Sequence, residues 1–147
     1  MNPIWPVFLA LLAGASLTLQ SGVNSQLRLL VGNPFQAGFI SFAVGTMALG
    51  AFTFTQRLQW PISGATKAPW WIWTGGLLGA YLVTSIIVLA PRLGATTLIA
   101  VIIAGQTITA LFLDHYGLLG FQHHPVRWER LMGVALLMLS VVLIRKY

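Results

Sequence analysis

A chain of 147 residues that is 57% hydrophobic and only 7% charged cannot clothe a soluble domain, which carries about 25% charged residues. Its two acids, Asp114 and Glu129, stand against eight Lys and Arg. The resulting +6 is scattered singly through short loops and makes no basic stripe, which excludes a nucleic-acid surface. The absence of cysteine excludes disulfides, thiolate catalysis and cysteine-based metal sites.

Residues 1–27, 29–56, 68–91 and 93–113 carry no charged side chain. Each run meets or exceeds the roughly 20 apolar residues that cross a hydrocarbon core of about 30 Å. The expected fold is all-α, a polytopic transmembrane helix bundle of five spans (four if the last does not cross), in a single membrane domain over 1–147. The first span is expected near 7–27, with Pro3 and Pro6 before or in its first turn, where a missing N–H costs little. The N-terminus has no basic n-region and its apolar stretch is too long for a signal-peptide core, so it reads as a retained span. Gly32-Asn33-Pro34 reads as a turn into a second span near 35–56.

The segment from Arg57 to Pro69 is a loop, with Pro61, Ser63 and Gly64 as breakers. A third span is expected near 70–90. Pro91-Arg92-Leu93-Gly94 allows so short a link that it predicts a tight antiparallel hairpin with the fourth span, near 95–113. A loop from Asp114 to Arg127 precedes the fifth, near 128–145. Only fourteen charge-free residues, Leu131 to Ile144, lie between its flanking arginines. Trp128 and the snorkelling stems of Arg130 and Arg145 must therefore extend it to both surfaces. Trp5, Trp60, Trp70, Trp71, Trp73 and Trp128 all fall at or near proposed span ends, as an interfacial belt requires.

No Asp, Glu, Lys, Arg or His occupies the centre of any span, which argues against a mid-membrane carboxylate relay. The lack of a nucleophile–base pair or a ligand cluster argues against an enzyme, and no cofactor or metal is expected. His115, His123 and His124 lack regular ligand spacing and read as loop residues. What remains is uncharged polarity. Gln20 and Asn24 lie four apart, with Ser16 one turn earlier; Gln106 lies mid-way along the fourth span, with Thr109 near it. Buried amides need partners. These side chains are expected to face the bundle interior or a wet cavity, either as interhelical glue at roughly 0.6 kcal/mol per bond or as the lining of a substrate path. Asp114 and His115 close the fourth span. An acid there opposes the helix dipole, so a cationic partner, a bound cation or a proton is expected, making the two candidates for ion pairing or coupling. Gly75, Gly76, Gly79 and Ala80, with Ser41 and Gly45, form small-residue faces for helix packing or for a dimer seam.

The run Gly14-x-x-x-Thr18-x-Gln20-x-x-x-Asn24-x-x-Leu27, then Trp73-x-Gly75-Gly76-x-x-Gly79-Ala80, then Ala90-Pro91-x-Leu93-Gly94 resembles the YdcZ-like branch of the drug/metabolite transporter superfamily. The resemblance continues through Gly105-Gln106, Asp114-His115-x-Gly117-Leu118 and Arg130-x-x-Gly133, over nearly the whole chain. It implies a multi-pass protein of the bacterial inner membrane, equivalent to half of a ten-span transporter of the EamA type. The implied activity is export or permeation of small metabolites or drugs. Related small multidrug-resistance exporters carry a glutamate in the first span; here that span has only Gln20 and Asn24, so coupling through such a residue does not carry over.

Five spans put Arg28, Arg92, Arg145 and Lys146 on one side and Arg57, Lys67, Arg127 and Arg130 on the other. This balance sets no orientation under the positive-inside rule. The expected partners are therefore the lipid bilayer, a small-molecule substrate, and either an antiparallel second copy or a paired homologous half-transporter. A non-transporting membrane subunit is the alternative.

Overall fold

The structure, a computed structural model, describes residues 4–58 and 68–146. Pro3, Trp60, Pro61, Ser63, Gly64 and Lys67 lie outside the described residues. Within them the chain forms helices α1 (Ile4–Val31), α2 (Pro34–Thr55), α3 (Gly75–Leu93), α4 (Ala95–Tyr116) and α5 (Trp128–Lys146), and no strand. Short 3-10 turns lead into α3 at Trp70–Thr74 and follow α4 at Leu118–Gly120.

Among the described residues four segments are long and apolar enough to cross a membrane: Ile4–Val31, Pro34–Thr55, Trp70–Leu93 and Ala95–Tyr116. Helix α5 differs, because Glu129 sits in its first turn and Arg145 and Lys146 in its last. Its 19 residues extend about 28 Å, close to the thickness of a hydrocarbon core.

Apolar side chains crowd the outside. Phe39, Leu77 and Tyr81 are 75%, 72% and 76% exposed, whereas the buried apolar set among the described residues is only Ala37, Val83, Ile86, Ile87, Leu98 and Ala104. Such a surface is tolerable only where hydrocarbon is the solvent. The protein is therefore a multi-pass membrane protein.

Local chemistry sets the helix ends. Asn33, with extended backbone, accepts a 2.8 Å bond from the Phe35 N–H on its side chain, and Pro34 follows at the first helical position. At the far end of α4, Gly117 adopts φ 60, a left-handed cap whose N–H returns to the Asp114 carbonyl. A Cβ there would also lie 3.4 Å from that of His123, so glycine is required both for conformation and for the close pass of the loop.

The chain packs as two compact units, Met1–Arg92 and Leu93–Tyr147. In the first, α1 packs on α2, and Ala37, Val83 and Ile87 form a core against which Leu27 and Val31 rest. Helices α2 and α3 approach over small residues: a methyl at Gly38 would just meet Thr84 Oγ1 at 3.5 Å, and one at Gly79 would meet the Phe42 ring at 3.5 Å. In the second unit, α4 packs along α5.

One bond in the first unit repairs a defect in α3. Pro91 lies inside that helix and has no N–H to give the carbonyl four residues earlier, that of Ile87. Ile87 is fully buried, so water cannot serve instead. The guanidinium of Arg28, from the last turn of α1, donates Nη1 to the Ile87 carbonyl oxygen at 3.2 Å. An orphaned carbonyl in hydrocarbon would cost several kcal/mol, whereas a bond to a charged donor contributes about 1.5–3 kcal/mol. Arg28→Ala should therefore lower the unfolding free energy in micelles by about 2 kcal/mol. In a Pro91→Ala background the restored N–H supplies the bond, and the same substitution should cost less than half as much. Denaturant titration of the four proteins tests this; equal losses in both backgrounds would show that Arg28 acts elsewhere.

Candidate functional site

Polar side chains on α1 divide into two faces. Ser21 and Asn24 are each 4% exposed. With Ser25 and Arg28 they form a stripe at spacings of three, four and seven, the repeat of a single helical face. The Ser25 hydroxyl is enclosed and has no hydrogen-bond partner. Ser16 and Gln20 lie on the exposed side, and Ser16 spends its proton on the Leu12 carbonyl at 2.8 Å. The sequence grouped Ser16, Gln20 and Asn24 on one face. Each step of four residues, however, turns the helix by about 40°, and the edge of the buried face falls between Gln20 and Asn24. Ser21, Ser25 and Arg28 were missed, although their spacing around Asn24 was the available signal.

Helix α4 divides in the same way. Gln106 and Thr109 point outward, Thr109 bonding the Gly105 carbonyl at 2.9 Å. Thr107, Ala110, Leu111 and Asp114 instead line an open 260 Å³ groove together with Arg130, Gly133 and Val134 of α5. Gln20 does not turn into the first unit, nor Gln106 into the second.

Asp114 has a cationic partner, Arg130, with Nη1 to Oδ2 at 3.2 Å. The Asp114 carbonyl also accepts the His124 N–H at 2.8 Å, and His115 Nδ1 accepts the Val126 N–H at 3.1 Å. The loop is thus tied back onto the end of α4. His115 stacks edge-on with Tyr116 at 4.6 Å and lies 6.5 Å from His123, ring centre to ring centre. No three His, Cys, Asp or Glu side chains gather into a metal-binding group among the described residues.

A larger groove of 510 Å³ opens on the first unit between the start of α2 and the middle of α3. Phe35, Val88 and Leu89 make it mainly apolar, while Tyr81, Thr84 and Ser85 supply hydroxyls; no charged side chain lines it. Among the small residues singled out for packing, Gly79 and Ser41 are half-buried. Gly45, Gly75 and Gly76 have open space where a Cβ would stand, and Ala80 lines the groove.

A family model described as "Putative inner membrane exporter, YdcZ" matches residues 5–143. Comparison with curated proteins and with solved structures finds no match.

The Asp114–Arg130 pair opposes both helix dipoles, with the carboxylate in the last turn of α4 and the guanidinium in the first turn of α5. Each placement costs about 0.3–1 kcal/mol relative to its reverse. Exchanging the charges (Asp114→Arg with Arg130→Asp) should thus keep the pair and leave thermal stability equal to or slightly above that of the natural chain. Asp114→Ala alone should lose about 1 kcal/mol, as expected of a half-exposed pair. A swapped protein less stable than the single variant would show that something besides the pair holds this end together.

Proposed function

The chain belongs to the YdcZ family of inner membrane exporters, and on that premise we propose that it is half of a transporter, completed by an antiparallel second copy. One observation carries the reading. Gln20 and Gln106 lie near the middles of α1 and α4, and each stands exposed on the surface of its own unit. An amide left against lipid tails forfeits several kcal/mol of hydrogen bonding. A facing copy, with a wet path between, gives these amides partners and gives the substrate polar handles.

The charge balance supports the same assembly. If α5 crosses as a fifth span, four cations stand on each side and either orientation inserts equally well. Two copies inserted oppositely recreate the inverted repeat around which transporters alternate access. The charge-free groove beside Tyr81, Thr84 and Ser85 favours a neutral or amphipathic molecule of metabolite or drug size. The open faces at Gly45, Gly75 and Gly76 favour a second reading, a non-transporting subunit that docks another membrane protein over close backbone contacts.

Two experiments separate these. Single cysteines near each terminus and beside Ser63 should label from both sides of sealed cells; labelling from one side only would remove the antiparallel pair. Gln20→Leu with Gln106→Leu should leave stability unchanged or slightly raised, yet lower substrate flux into proteoliposomes about tenfold or more, the equivalent of about 1.4 kcal/mol. Undiminished flux would sink the lining role, and an absence of flux in the natural chain would favour the subunit reading.

A further inference from the structure

The loop between α4 and α5 holds a second cavity, of 270 Å³, lined by His124, Pro125, Arg127 and Arg130. Every ionisable side chain on its wall is a guanidinium or an imidazole. Glu129 neighbours the cavity in sequence but is not part of its lining.

Its shape is built in advance. The loop is tied to the end of α4 by the His124 N–H on the Asp114 carbonyl and the Val126 N–H on His115 Nδ1. The 3-10 turn at Leu118–Gly120 closes with the Phe121 N–H on the Leu118 carbonyl at 3.0 Å. Arg127 then opens α5, its carbonyl accepting the Arg130 and Leu131 N–H groups. These bonds use backbone groups and His115 Nδ1, and His124 and Arg127 line the cavity. Arg130 gives only Nη1 to Asp114, so its other donors remain. The positive end of the α5 dipole adds to the field.

The depth is equally informative. The loop runs from Tyr116 at the end of α4 to Trp128 at the start of α5, and aromatic residues at span ends mark headgroup level. Forked guanidiniums that converge there suit the oxygens of a phosphate. Basic pockets between spans hold lipid headgroups through the same chemistry.

We infer that the cavity bounded by His124, Arg127 and Arg130 binds a phosphate group, whether carried by an anionic lipid headgroup or free in solution. The site serves the second unit alone and stands whether or not the chain transports anything. Arg127→Gln removes one donor set without touching the Asp114–Arg130 pair; Arg145→Gln removes a cation at the other end of α5 as a control.

The full chain is to be purified into phosphatidylcholine nanodiscs and titrated with short-chain phosphatidylglycerol, short-chain phosphatidylcholine and inorganic phosphate, reading the thermal midpoint. Phosphatidylglycerol should raise the midpoint where phosphatidylcholine does not. Arg127→Gln should weaken that response roughly fivefold, and Arg145→Gln should leave it intact. An equal response to inorganic phosphate, with the same loss in Arg127→Gln, would also support the site and name the free anion as its ligand. If neither probe shifts the midpoint, or if both variants weaken the response equally, the cavity is not a site. His124→Gln serves as a second variant should Arg127→Gln fold poorly.

Discussion

A hydrocarbon solvent forgives no unpaired backbone group, and the first unit is arranged around the one that Pro91 creates. Arg28 must reach the Ile87 carbonyl from the last turn of α1, which fixes how that helix lies against the end of α3. Ala37 on α2 fills the space beside them, with Leu27 and Val31 packed over it. The guanidinium is itself expensive to bury, so the bond holds only because charge and carbonyl satisfy each other. The second unit uses an arginine in a similar place, at a helix end and reaching to the neighbouring helix, but with a carboxylate as its acceptor.

Between these polar ties the helices meet over small residues and aromatic edges, as at Gly38 with Thr84 and Gly79 with Phe42. Contacts of this kind are individually weak. Surfaces of this kind let helices change their mutual packing without breaking polar ties.

The spans were legible because charge is so costly in lipid that its absence marks them almost by itself. The fifth helix was legible as a helix, and its charged first and last turns explain why it stands apart from the other four. Side-chain direction was harder to read. Asn24 lies on the buried face and Gln20 does not, because a four-residue spacing drifts around the helix and sequence alone does not locate the edge of a face. That Asp114 needs a partner followed from the dipole; that it is Arg130 rather than Arg127 depends on how the loop folds back over Gly117. The bond from Arg28 to Ile87 left no sequence signal beyond Pro91 itself, since a carbonyl acceptor belongs to every residue alike.

The tryptophans have an optical consequence. Trp5, Trp70 and Trp128 open helices or the turns leading into them, Trp71 and Trp73 follow within one such turn, and Trp60 falls between Arg57 and Lys67 in the sequence. The chain's native fluorescence therefore arises near the headgroups and leaves the bilayer centre dark. Lipids brominated deep in their tails would quench little of it, so a single indole introduced at mid-span could be read against almost no background.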